Sequence, residues 1–507
     1  MKHGFCPSLV FLSLVRAHAQ NAAVATPAPA EPARPAAAPT PAPLPPLARF
    51  GSVVFNANLR TRLEAWDWFT PASGDDRYAY SGNILRFGWS QSKDRWDWNA
   101  EFALPLVLGL PANPVAPAPQ GALGLGANYF LTNGRSRNAA MVFPKQLYVR
   151  ITQFGASRAH QLKLGRFEFL DGSELAPKNA ALATVKTARV NQRLLGNFGW
   201  THVGRSFDGV HYSYSKPWGN VTFVGAVPTR GVFQTDGWGW LNTAFGYASI
   251  TRPWGQGKHS AETRAFALLY YDFRDVLKVD PRPAAIRTAD RGNITIGTFG
   301  GHSLHAFASP AGAVDLLIWG AAQTGAWGNQ HHRAYAVDLE AGFQPAAWPR
   351  WKPWIRAGFY RGSGDNTPND SLHGTFFQVL PTPRPFAKMP FFNMMNNQEM
   401  FGMLTLRPHV KLTIVSEFHA LRQTAPNDLW YAGGGAFQPW SFGYIGRPTG
   451  GARSLANLYD TGVELRLHPR LTVAPYMGFA QGRAVIRALY PRGSNAAFGY
   501  FEASYRF

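Results

Sequence analysis

From Val53 onward, apolar and polar residues change places at every position, stretch after stretch. That is the period of two of an extended strand and not the 3.6 of a helix. In the first stretch Phe55, Ala57, Leu59, Thr61, Leu63 and Ala65 share one side, and Asn56, Asn58, Arg60, Arg62 and Glu64 the other. Residues 95–104 are sharper, with Trp96, Trp98, Ala100, Phe102 and Leu104 opposing Asp97, Asn99 and Glu101. The chain ends the same way: Ala497, Gly499, Phe501, Ala503, Tyr505 and Phe507 oppose Phe498, Tyr500, Glu502, Ser504 and Arg506. An apolar face backed by an ionic face, repeated along the chain, is what a wall between lipid and water requires, whereas a soluble barrel keeps its apolar side inside. The closing stretch alone would also suit the edge strand of a soluble sandwich.

Further alternating stretches lie at residues 83–91, 146–153, 160–166, 206–216, 220–228, 244–252, 261–273, 294–307, 313–323, 334–344, 351–361, 398–407, 410–421, 458–468 and 471–482. With the three above they predict eighteen strands in an all-β, antiparallel, up-and-down transmembrane barrel. One more alternating stretch, residues 182–193, would make the count odd and put the chain ends on opposite sides of the membrane; it is assigned to a loop. Tight connections at 91–94, 215–219, 407–409 and 468–470 alternate with long ones at 105–143, 167–204, 275–293, 362–397 and 423–457. Short turns therefore face the periplasm and long loops the cell surface. A barrel of this size leaves an aqueous lumen unless loops fill it.

Composition agrees. The 507 residues are 14% aromatic and 16% charged, with no uninterrupted apolar run long enough to cross a bilayer as a helix. A closed barrel is then the way to pair every backbone group inside lipid. Residues 1–19 read as a signal peptide, with Lys2, an apolar stretch over 5–15 and Ala17-His18-Ala19 as the cleavage pattern, although Arg16 sits unusually close. Residues 20–49 are an Ala/Pro-rich periplasmic spacer, read either as an inert linker or as a tether reaching for a periplasmic export partner, and 50–507 form the barrel. The only cysteine, Cys6, leaves with the signal peptide, so the mature chain has no disulfide and no cysteine nucleophile or metal ligand.

The net charge of +21 does not come from a purely basic lumen. On the strand parity, Arg60, Arg62, Arg86, Arg150, Lys163, Arg264 and Arg356 share the ionic side with Glu64, Asp97, Glu101, Glu262, Asp338, Glu340 and Glu417. Basic residues are denser over 158–205, where Arg166, Lys186, Arg189 and Arg193 outnumber Glu168, Asp171 and Glu174. Folded into the lumen, that loop would focus positive potential on a passing anion; the competing reading is a structural ladder of ion pairs. Surface-loop bases such as Arg447 and Arg453 suit lipopolysaccharide phosphates. The oxygen-rich residues 362–370 suit either Ca²⁺ or an ordinary polar loop, and His331 and His332, being adjacent on a strand end, point to opposite sides. No nucleophile elbow, metal pair or phosphate-binding glycine loop stands at diagnostic spacing, so no enzyme activity and no cofactor are expected. The export signal argues against a nucleic-acid partner.

Four blocks carry a resemblance: Leu164-Gly165-Arg166-Phe167-Glu168-Phe169-Leu170-Asp171-Gly172; Gly196-Asn197-Phe198-Gly199-Trp200-Thr201-His202-Val203-Gly204-Arg205-Ser206-Phe207-Asp208-Gly209; Pro228-Thr229-Arg230-Gly231-Val232-Phe233; and Tyr360-Arg361-Gly362-Ser363-Gly364-Asp365. They resemble the alginate-export family of bacterial outer-membrane barrels. The resemblance implies an eighteen-strand outer-membrane barrel passing an anionic polysaccharide, a uronate polymer, through an arginine-rich constriction. The family's pore arginines match Arg86, Arg166 and Arg361, and Lys145, which keeps the charge but lacks the planar fork that grips a carboxylate. The family's acidic pore residues and its last pore arginine have no match. Arg150, Arg189 and Arg193 complete the predicted constriction. An anion-selective uptake porin for small solutes and an outer-membrane barrel enzyme are the alternatives.

Overall fold

The computed structural model describes residues 45–382, 388–436 and 438–507; the predicted signal peptide and the spacer up to residue 44 lie outside the described residues. Eighteen antiparallel strands run from Val53–Asp67 to Asn495–Arg506, each paired with its neighbour in sequence. The last pairs with the first, from Asn58 opposite Arg506 to Asp67 opposite Ala497, and this closes the barrel. Every predicted strand is present. Most are longer than their alternating core: the stretch read at 83–91 is the strand Arg77–Ser92, and that at 95–104 is Trp96–Leu108. Residues 182–193 do lie in a loop, where Asn179 caps the helix Ala180–Val185, which runs on into a π-helical turn, Lys186–Val190.

The two faces of the wall sort as the alternation requires. Trp96, Ile318, Met477 and Phe501 are exposed on the outside, the belt that lipid covers. Arg62, Glu64, Asp97, Glu262, Arg264, Asp338, Glu340 and Arg356 are buried within.

The core is not between layers of sheet. It occupies the lumen, where the long loops meet. Leu195, Phe376, Val379, Leu380 and Met394 have no exposed surface and belong to one apolar cluster with side chains of the wall. Main-chain bonds sew the loops together: Gly196 donates to the Leu380 carbonyl at 2.7 Å, and the Leu380 N–H donates to the Leu194 carbonyl at 2.8 Å. Trp430 Nε1 donates to the Phe391 carbonyl at 2.8 Å, and Arg447 Nε to the Gln120 carbonyl at 2.9 Å. Burying a Phe, Leu or Met side chain is worth about 1.5–3 kcal/mol. A loop segment carrying so many of them cannot stay in water.

Arg447 is thereby spent on loop packing and is buried, which removes it as a lipopolysaccharide contact; Arg453 is exposed. In residues 362–370 the Asp365 and Asp370 carboxylates accept from the loop's own Thr367 and Leu372 N–H groups, the bonds of a polar turn.

Candidate functional site

Residues 168–206 turn from the end of the strand His160–Phe167 into the barrel and lie along its wall. A glycine makes room for this: a Cβ on Gly82 would collide with the His202 ring. Ion pairs run along the contact between loop and wall, beside buried apolar side chains such as Leu182, Val185, Phe198 and Trp200.

At one end, Arg86 on the strand Arg77–Ser92 holds two acids. Its Nε donates to Glu101 of the next strand at 2.5 Å, while Nη1 and Nη2 donate to the two oxygens of Glu168 at 3.2 and 3.0 Å. Lys145 joins the same group. It occupies a bulge, where Glu101 pairs with Gln146 but Phe102 with Pro144, and the extra residue re-aims its side chain inward. Its Nζ donates to the Val203 and Arg205 carbonyls at 3.0 and 3.2 Å and lies 3.6 Å from Glu168. Burial opposes ionisation of Glu168, but Arg86 and Lys145 outweigh it and hold the carboxyl below its usual range.

Further along, Arg264 of the wall holds Glu174 of the loop at 2.9 Å. The signs then reverse, so that loop cations meet wall acids. Lys186 lies 2.6 Å from Glu262, and Arg189 Nε donates to both Glu340 oxygens at 3.0 and 3.2 Å. Arg193 meets Asp338 and, at 3.3 Å, Glu340, which also accepts from Arg356 at 2.5 Å. Arg189 stacks over Phe401 and Arg193 over Trp319. Where the loop returns, His202 Nε2 lies 2.9 Å from Glu64, and Arg62 donates to the Trp200 carbonyl at 2.9 Å. Burial pushes the His202 imidazole down to about 4, so at neutral pH it meets Glu64 as a neutral donor.

The predicted constriction residues therefore divide. Arg86 and Lys145 converge through Glu168, and Arg189 and Arg193 through Glu340. Arg150 faces the lumen apart from both groups, fork to fork with Asp97 at 2.5–3.1 Å. Two residues are on the wrong side of the wall. Arg166 shares its parity with Leu164, which is 38% exposed, and pairs across strands with Leu147, 45% exposed. Its guanidinium holds Asp208 at 2.8 and 2.9 Å and donates to the Pro144, Gly237 and Trp238 carbonyls, beneath the loop of residues 229–242 that folds over the rim. Arg361 lies opposite Val337, 38% exposed, on the face of Ile355 and away from the buried Arg356 and Tyr360. Neither points into the lumen.

In the sequence Glu168 and Glu174 read only as loop charges, and His202 only as part of the block Gly196–Gly209.

A closed eighteen-strand barrel, apolar outside and ionic within, with its long loops turned into the lumen, defines an outer-membrane channel. The family described as alginate export matches residues 120–474, well over half of the chain, and the chain belongs to it. None of the curated proteins matches it in sequence. Solved structures with the same fold include Pseudomonas aeruginosa OccK9 (OpdG), at 10% identity and a TM-score of 0.55, covering 90% of this chain and 98% of that one. Pseudomonas aeruginosa OpdK with vanillate is similar at 11% identity and a TM-score of 0.53, covering 89% and 98%. Family and fold are those of outer-membrane channels and not of enzymes.

Proposed function

We propose that this channel passes an anionic polysaccharide of the uronate class outward, and that residues 168–206 are its gate. The observation that carries the reading is the Arg86 fork closed on both oxygens of Glu168. A uronate carboxylate offers a guanidinium the same two oxygens, so Glu168 stands where a sugar acid of the polymer would dock. The gate opens by exchange: polymer carboxylates replace Glu168 on Arg86 and Lys145 and Glu174 on Arg264, and the freed loop also exposes Arg189 and Arg193, with Arg150 further along the wall. Wall acids beside each cation keep the attraction modest, so the chain can step on. A periplasmic partner would deliver the polymer, and lipopolysaccharide would surround the loops.

Planar-bilayer conductance with and without oligouronate tests this. Glu168→Gln should raise anion conductance and deepen the block by oligouronate; Arg86→Glu should lower anion selectivity and abolish that block. Unchanged selectivity and block in Arg86→Glu would overturn the reading. The second reading, an uptake porin for small anions, draws on the solved neighbour that holds vanillate. It requires steady conductance that the polymer does not alter.

A further inference from the structure

Away from the gate, the lumen wall carries a second cluster of ionisable groups. Glu417 and His419 stand two residues apart on the strand Leu412–Gln423 and face inward together. Asp460, on the strand Ser454–His468, is the direct cross-strand partner of Glu417. One ligand atom from each of the three lies within 4.8 Å of the others. Two carboxylates directly opposite on paired strands repel each other. A cation between them would relieve this; among the described residues Asp460 accepts only a neutral hydroxyl, from Tyr476 at 2.9 Å, while Arg189 reaches within 4.0 Å of Glu417 but holds Glu340 at 3.0 Å, and Lys388 lies over the Tyr476 ring at 5.4 Å.

His419 supplies the independent sign of a ligand. The residue has no exposed surface, and its Nδ1 lies 2.6 Å from Glu399 Oε1. Among the described residues its buried Nε2 has no hydrogen-bond partner. Glu399 belongs to the strand on one side of His419 and Asp460 to the strand on the other. With Nδ1 held by Glu399, Nε2 is the nitrogen left to serve as a ligand beside the two carboxylates. A histidine whose far nitrogen is held by a carboxylate while the near one is left bare is the arrangement by which proteins orient imidazole toward a metal.

We propose that Glu417, His419 and Asp460 bind a divalent transition-metal ion of the zinc class, with Glu399 as the positioning residue. One imidazole nitrogen and two carboxylates suit zinc at about 2.0–2.2 Å and leave a fourth position for water or an anionic solute in the lumen. Tetrahedral ligands at those distances lie about 3.5 Å apart, so the carboxylates close inward by side-chain rotation on binding. The bound ion relieves the Glu417–Asp460 repulsion and fills the gap at Nε2.

The test is calorimetric titration of Zn²⁺ into the purified, chelator-treated full chain in detergent, with Co²⁺ as a spectroscopic probe. The proposal expects one equivalent of zinc, lost in His419→Asn and in Asp460→Asn, weakened about 10–100-fold in Glu399→Gln, and unaltered in His331→Asn at an exposed histidine. Zinc uptake by a folded His419→Asn barrel equal to that of the unaltered chain would overturn it. Should the variants not fold, the unaltered protein still decides: cobalt absorption bands displaced by one equivalent of zinc support the site, and no cobalt-induced change sinks it.

Discussion

Two loops fill the same lumen, one adding a run of ion pairs to its apolar packing and the other packing almost wholly through apolar side chains. Residues 168–206 meet the wall through ions, in the pairs Arg86–Glu168, Arg264–Glu174, Lys186–Glu262, Arg189–Glu340 and Arg193–Asp338. The loop after the strand Trp354–Gly362 packs through Phe376, Phe377, Val379, Leu380, Phe391, Phe392, Met394 and Met395, each at most 3% exposed. A bond between charges can be competed away by another charged molecule, while apolar packing yields only to something that removes the apolar surface. On the proposed function, the first loop is the one a polyanion would move, and the second is the stopper against which it rests. The Leu194–Gly196 and Leu380 main-chain bonds tie the two.

The strongest way to break that contrast is to charge the stopper. Leu380→Asp buries a carboxylate among rings without a partner, a cost that expels the loop or the proton. The expected outcome is a barrel conducting steadily in planar bilayers with no polymer present; a variant as tightly closed as the unaltered chain would mean that the ionic loop alone seals the lumen. Next in size is Glu340→Gln. Arg189, Arg193 and Arg356 share that carboxylate while wholly or almost wholly buried, and removing one partner of a buried pair costs about 3–5 kcal/mol. A lower temperature for loss of the folded barrel's heat-modifiable gel mobility checks this, together with faster proteolysis within residues 168–206.

Arg166→Ala sharpens the comparison from outside the lumen. Its pair with Asp208 is as buried as the lumenal ones and fork to fork, so the stability loss should approach that of Glu340→Gln. Anion selectivity, however, should stay that of the unaltered channel, since the side chain faces outward. A selectivity change in a folded Arg166→Ala barrel would show that the rim loop of residues 229–242 transmits to the lumen.

The barrel was legible because lipid imposes its rule on every strand: Trp96, Trp98 and Phe102 alternate with Asp97, Asn99 and Glu101 whatever the loops do. The positions of Arg166 and Arg361 were legible too, had parity been weighed against motif. Arg166 stands three residues from the inward Lys163, and Arg361 five from the inward Arg356, so neither can share its neighbour's face. Lys145 was legible only through the resemblance and not from parity, because the bulge that turns it inward is a property of two paired strands and not of one. The plug left a partial trace. Residues 182–193 alternate on paper, yet Leu182 and Val185 are also spaced for one helix face, and only burial in the lumen selects the helix. The rings at 376, 377, 391 and 392 marked a loop too apolar for water, but not where it would go. The metal-binding cluster needed three strands in register.

The smallest effect expected is a pH dependence of the stopper's outer edge. Asp428 lies in the loop after the strand Leu412–Gln423, and its carboxylate accepts from the Asp365 N–H and Thr375 hydroxyl on one oxygen and from the Leu429 N–H and Tyr431 hydroxyl on the other. Burial pushes it up to about 7 against these bonds, and the neighbouring Asp365 is raised by the same cause. A carboxyl raised on folding favours the protonated form: its contribution is fully present below the unfolded value near 4 and is lost as pH rises through about 7. The loop should thus be held more firmly at pH 5.5 than at pH 8, read as slower proteolysis of residues 424–453 and fewer spontaneous openings in bilayers at the lower pH. Asp428→Asn, which keeps the shape without the charge, should flatten the profile between those values. A profile that persists in Asp428→Asn would assign the sensitivity to Asp365 or to the ionic loop.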